Sequence, residues 1–111
     1  MRLFLYGTLL DAETLAARGG HTGLAAHLVR ATLRGWQRVL LRRARYPTLR
    51  RQRDGVVHGA LLDAPSRVLA RLAAYEGPAY RLTRVVVQTA NGKTVAHTWI
   101  APGATRREWR K

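Results

Sequence analysis

The sequence predicts an α+β domain: a small, mostly antiparallel sheet with one or two short helices. Three observations predict it. Extended apolar stretches recur along the chain. One helix with an apolar stripe sits between them, opening at Asp63 and closing at Gly77. The last two stretches are joined by Asn91-Gly92, the strongest short hairpin signal in a sequence.

Taken in order, Leu3-Phe4-Leu5 is a short apolar run that breaks at Tyr6-Gly7-Thr8-Leu9, which reads as a buried strand followed by a tight loop. Gly7 lets the backbone approach a ligand there and leaves amide N–H groups pointing outward. Residues 11 to 18 read as a helix capped by Asp11, with Glu13 in its positive first turn, Leu15 inward and Gly19-Gly20 as its stop. His21 to Ala26 reads as loop or a further short turn. Arg30, Arg34, Arg38 and Arg42 recur every four residues, a spacing that fits one face of a helix or of a strand. Gly35 argues against one long helix, so two strands are expected, 28–34 and 36–42.

Arg42 to Arg53 holds six arginines interrupted by Tyr46-Pro47 and is expected to be a loop. Asp54-Gly55 reads as a turn, and Val56 to Leu62 as a strand. Asp63 or Ser66 caps the next helix, in which Leu69, Leu72 and Glu76 share a face flanked by Val68 and Tyr75. Residues 80–90 and 93–101 form the hairpin, with Arg84 expected opposite Trp99. Pro102-Gly103 ends the sheet. The domain is therefore expected over 1–103, with 104–111 a basic, mobile tail.

At 111 residues the chain is one domain with a core of its own. It has no cysteine, so neither disulfide nor thiolate chemistry is open to it. His21, His27, His58 and His97 show no metal-ligand spacing, and no metal or cofactor is expected. No apolar run is long enough to cross a membrane and no signal-peptide pattern stands at the start, which predicts a cytoplasmic protein without a membrane partner. The net charge is +14, and 18 of the 20 basic residues are arginine. Such a chain should adhere to polyanions at low salt. The arginine excess also fits a compositional bias shared with its abundant alanine.

Six carboxylates are present. Asp11 and Asp63 are expected caps, Glu13 suits a helix N-terminus, Asp54 a turn and Glu108 a solvated tail. Glu76 has no such explanation. It lies on the apolar stripe in the last turn of its helix, where desolvation and the negative end of the helix dipole both raise a carboxyl pKa. A glutamate so placed can take and return a proton near neutral pH. Pairing with one of the many arginines is the competing reading. The single serine, Ser66, lies outside any nucleophile elbow, and no phosphate loop is present. The inventory therefore suits a reaction whose substrate supplies its own nucleophile.

Two stretches together, Tyr6-Gly7-Thr8-Leu9 and Leu72-Ala73-Ala74-Tyr75-Glu76-Gly77 with Tyr80-Arg81 after it, resemble the gamma-glutamylcyclotransferase-like (AIG2-like) family. Gly35-Trp36, Tyr46-Pro47 and Val57-His58-Gly59 fall in the family's order between them, so the resemblance runs from Leu3 to about Ile100. It implies a barrel-like sheet and a cofactor-independent cyclisation of a γ-glutamyl amine or amino acid to 5-oxoproline and a free amine. In that reading Glu76 is the general acid/base. Backbone amides of Gly7, Thr8 and Leu9 hold the glutamyl carboxylate or the oxyanion, and Tyr6 and Tyr80 line the pocket or serve as core aromatics. The chain departs from the family pattern at Ala73, where an aspartate is usual, at Leu82, where an arginine often stands, and at Trp99, where a tyrosine is common. Two other readings remain open: a non-catalytic small-ligand module on the same fold, and a nucleic-acid-associated protein using Arg42 to Arg53 and the tail without sequence preference.

Overall fold

A computed structural model describes residues 1–41, 47–101 and, as backbone only, 109–110. The order is β1 (Arg2–Leu5), α1 (Ala12–Gly19), β2 (Val29–Leu41), β3 (Pro47–Asp63), α2 (Ser66–Glu76), β4 (Arg81–Thr89), β5 (Gly92–Ile100) and β6 (Trp109–Arg110). Short 3-10 turns at Thr8–Leu10 and Leu24–His27 flank α1. The strands run β3-β1-β5-β4-β2, and β2 pairs again with β3, so the five close on themselves as a small barrel. Every neighbour is antiparallel except β1 and β5, which pair in parallel at Leu3 and His97. The expected α+β class, with a mostly antiparallel barrel-like sheet and two short helices, is what the chain adopts.

Alternation along the strands sorts side chains between two cores. Phe4, Tyr6, Ala31, Leu33, Leu49, Val57, Val85, Val87, Ala96 and Ile100 fill the barrel interior. Leu3, Leu5, Leu62 and Trp99 face outward from the same wall and are covered by Leu15 of α1 and Val68 and Leu72 of α2. Both helices therefore sit on one side of the barrel. Asp11 caps α1 as expected, its carboxylate accepting from the Thr14 amide at 3.0 Å, and these bonds hold its pKa below the usual carboxylate range.

Five local expectations are corrected. β2 is one strand of 13 residues, not two. It carries a bulge at Gly35, whose φ of 86° lies in the left-handed region that favours glycine. Arg34 faces Val56 and Trp36 faces Arg51, so Gly35 alone on β2 stands against Gln52 to Gly55 on β3. Asp54-Gly55 is therefore this bulge and no chain reversal. A Cβ at Gly55 would collide with the Trp36 carbonyl oxygen, which is why glycine sits there. The basic segment expected to be a loop is strand from Pro47 onward, since a proline is tolerated as the first residue of a strand. Arg42 to Tyr46 lie outside the described residues, as do Pro102 to Glu108 and Lys111.

Helix α2 is entered through Pro65 with no side-chain cap. Ser66 is its first residue, and Asp63 remains the last residue of β3. There Asp63 faces Arg2 in register and accepts from its guanidinium at 2.9 Å. That bond holds the carboxyl below its ordinary range. In the hairpin, Thr89 pairs with Gly92 and Ala90-Asn91 forms the turn, so Arg84 faces His97 and Trp99 faces Leu82. The Thr89 hydroxyl accepts from the Asn91 amide at 3.1 Å and donates to the Gly92 carbonyl at 3.0 Å, closing the turn one residue earlier than the Asn-Gly signal predicts. The shift is two residues across the pair, so the faces of both strands are preserved. Among the described residues, no helix is long and apolar enough to cross a membrane.

Candidate functional site

The parallel junction of β1 and β5 is a short seam of the barrel: its ladder consists of Leu3 with His97, as that of β2 with β4 consists of Thr32 with Gln88. Beyond it, side-chain hydroxyls replace the missing backbone pairs. The Thr98 hydroxyl donates to the Phe4 carbonyl at 2.8 Å, and the Tyr6 hydroxyl donates to the Trp99 carbonyl at 2.6 Å. Thr48, fully buried at the start of β3, accepts from the Ala101 amide at 2.9 Å and also bonds the Tyr6 hydroxyl. Burial pushes the Tyr6 phenol far above its ordinary pKa, so it stays protonated and keeps donating.

Where this seam opens, a cleft lies between the end of β1, the Gly7-Thr8-Leu9 loop, the start of β3 and the end of α2. Tyr6, Gly7, Thr8, Leu9, Pro47, Glu76, Thr98 and Trp99 line it. Its free volume is about 20 Å³, room for roughly one water-sized group. The loop turns tightly, the Leu10 amide donating to the Gly7 carbonyl at 3.0 Å and the Asp11 amide to the Thr8 carbonyl at 3.1 Å. Those bonds engage neither the Gly7, Thr8 nor Leu9 N–H. The Thr8 hydroxyl meets the Tyr75 hydroxyl at 2.8 Å, and the Arg18 guanidinium lies 4.9 Å from the centre of the Tyr75 ring. Loop, α1 and α2 are thus tied together beside the cleft.

Glu76 is the last residue of α2 and is half-buried. Burial raises its pKa from 4.5 to about 7. The competing reading, an arginine partner, finds no support among the described residues, where the one ion pair is Arg2 with Asp63. The carboxyl can therefore exist in both protonation states near neutral pH, in the same cleft as the Gly7-Thr8-Leu9 loop.

The structure brings Tyr6, Gly7, Thr8, Leu9 and Glu76 to one cleft. Tyr80 stands outside its lining, half-buried behind Pro47, with its hydroxyl 3.5 Å from the Pro47 carbonyl. Ala73 is exposed, and its carbonyl accepts from the Gly77 amide at 3.1 Å. Leu82 packs on the helix-covered core, and Trp99 is buried in the cleft wall. Sequence reasoning missed Pro47, Thr48 and Thr98. Thr98 was visible in principle, as a hydroxyl at an inward position between Ala96 and Ile100. Thr48 could not be found while its segment was read as loop.

Comparison with known proteins agrees with this fold. The family model for gamma-glutamyl cyclotransferase, AIG2-like, matches residues 3–111. AIG2-like protein A of Arabidopsis thaliana is 33% identical over 103 residues, which are 88% of this chain and 61% of that relative's own length. Another Arabidopsis thaliana protein, solved in solution, superposes with a TM-score of 0.77 at 28% identity, covering 92% of this chain and 68% of that one. A solved gamma-glutamyl cyclotransferase superposes with a TM-score of 0.66 at 15% identity, covering 91% of this chain and 66% of that one, a likeness of fold.

Proposed function

The chain belongs to the gamma-glutamyl cyclotransferase, AIG2-like family, and from that premise we propose that it cyclises a γ-glutamyl amine or amino acid, releasing 5-oxoproline and the free amine. One juxtaposition supports this reading. A carboxyl with a pKa near 7, Glu76, faces the same cleft as the Gly7-Thr8-Leu9 loop.

Ionised Glu76 takes a proton from the substrate α-ammonium. The freed amine attacks the substrate's own γ-carbonyl carbon, and the C–O electrons move onto oxygen. The loop amides receive that oxyanion or hold the α-carboxylate. One such donor is typically worth ~3 kcal/mol of barrier. Protonated Glu76 then delivers its proton to the leaving nitrogen as the old C–N bond breaks. In total two protons pass from the attacking to the leaving nitrogen, carried one at a time. Ring closure is intramolecular, so holding the substrate bent supplies much of the remaining acceleration. The free space beside Glu76 takes one small polar group, so the bulk of the substrate lies outward, over the exposed Thr8.

The test is 5-oxoproline release from a panel of γ-glutamyl amino acids and γ-glutamyl amines. Turnover is expected with at least one of them, rising with pH through about 7 as Glu76 ionises. Glu76→Gln should lower it ~10²–10⁴-fold. A folded protein that releases nothing across the panel overturns the enzyme reading and leaves a binding pocket on the same fold.

A further inference from the structure

Arg30 and Arg34 lie away from the cleft and line none of it. On β2, Arg30, Arg34 and Arg38 are exposed while Ala31, Leu33 and Val39 between them are buried. Arg30 and Arg34 therefore stand on the outer face of the strand; past the bulge at Gly35 the alternation reverses, since Trp36 packs on the barrel interior and Arg38 pairs with the interior Leu49, so Arg38 is not part of this strip. Strand geometry sets the two about 13 Å apart. Cross-strand pairing widens the strip. His58 on β3, Thr32 on β2, Gln88 on β4 and Lys93 on β5 form a row across four strands. Arg84, also exposed, lies four residues along β4 from Gln88, in the direction in which Arg34 lies from Thr32. A shallow groove of about 520 Å³ runs beside Arg30, His58 and Gln88.

These cations are uncompensated, since the one ion pair among the described residues involves Arg2. A net charge of +14 on 111 residues repels itself and attracts counterions to such a strip. Helices α1 and α2 cover the opposite wall, and among the described residues no helix lies on this one.

We propose that the outer face of β2, with Arg30 and Arg34 at its centre, binds the phosphate backbone of a nucleic-acid duplex without reading its sequence. Three features favour this partner. Arg30 and Arg34 lie along one strand, with Arg84 and Lys93 exposed on the strands beyond, a strip of like charge that suits a polyanion. They are arginines, whose planar forks match phosphate oxygens. Among the described residues no helix lies on this face to insert an apolar side into a membrane, as surface-bound amphipathic helices do. This surface is separate from the cleft, so its test is independent of the cyclotransferase reading.

The test measures anisotropy of a fluorescent DNA duplex of about 20 base pairs against the full chain. About four phosphate contacts predict that affinity falls roughly 100-fold between about 50 and about 200 mM salt. Arg30→Gln/Arg34→Gln should flatten the log–log salt slope by about 2. Arg67→Gln/Arg71→Gln removes the same charge from the exposed side of α2 and should leave the slope nearly unchanged. Arg30→Lys/Arg34→Lys keeps the charge and should restore the slope, which separates a lost contact from a lost fold. Equal losses from the two glutamine variants would mean that net charge alone drives binding and would overturn the proposal. So would the absence of binding at about 50 mM salt. So would tighter, equally Arg30-dependent binding to phosphatidylserine vesicles, which would make a bilayer the partner.

Discussion

The covered wall and the bare wall of this barrel hold charges of opposite sign, and among the described residues neither Glu76 nor the outer arginines of β2 have an ionic partner. The consequences differ because the solvent differs. Glu76 ends α2 in the cleft beside the seam of β1 and β5, where burial lifts its pKa to about 7 and lets it gain and lose a proton near neutral pH. Arg30 and Arg34 stand exposed on the outer face, where their charges act on partners at long range. An unpaired charge is thus chemistry on one side of the sheet and an electrostatic surface on the other.

The largest expected contrast is catalytic. Glu76→Gln should remove 5-oxoproline release by ~10²–10⁴-fold, whereas Arg30→Gln should leave the rate within about twofold. A comparable loss from both variants would dissolve the distinction between the walls.

Next in size is packing. Phe4 is 1% exposed inside the barrel, and Phe4→Ala should cost about 3–5 kcal/mol in denaturant unfolding. Val86, 51% exposed on the bare wall, should change stability by no more than about 0.5 kcal/mol when replaced by alanine. A large loss at Val86 would show that the outer face is covered in solution.

The third contrast is a pH effect on stability. The folded pKa of Glu76, about 7, lies above its ordinary 4.5. Below about 4.5 the group is protonated in folded and unfolded chains alike and does not oppose folding. As pH rises through about 7, the unfolded chain gains by ionising freely and the folded chain loses that relative stability. Glu76→Gln should therefore stabilise the protein by about 1–3 kcal/mol at pH ~8 and by nearly nothing at pH ~4. Chemical unfolding at the two pH values reads this directly. A gain that is the same at both would mean that burial does not raise this carboxyl.

The smallest effect concerns the arginines. Arg30→Gln should move stability by no more than about 0.5 kcal/mol, and added salt should stabilise the parent chain slightly by screening its self-repulsion. Thermal melts across a salt series would show it. Marked destabilisation on adding salt would mean that the outer cations are held by attractive pairs.

Much of the fold was legible because its signals are local. The apolar run of β1, the Asp11 cap, the stripe of Val68 and Leu72 and the glycine stop after Glu76 each act within a few residues of sequence. Glu76 itself stood out by elimination among few carboxylates, whereas the four-residue arginine spacing marks one strand face only for Arg30 and Arg34, because the bulge at Gly35 turns Arg38 to the other side. Tertiary structure decided the rest. Asp54-Gly55 became a bulge because β2 runs unbroken beside β3, and Pro47 opened a strand because its missing N–H is tolerated at that position. Asp63 became an ion-pair partner because β1 aligned Arg2 with it. The cleft exists because one short parallel junction is completed by the hydroxyls of Tyr6, Thr48 and Thr98, from segments some forty to ninety residues apart. Side-chain chemistry, caps and periodicity are properties of neighbours along the chain. Registers, shared clefts and the partners of buried hydroxyls belong to neighbours in space, and those are set when the barrel closes.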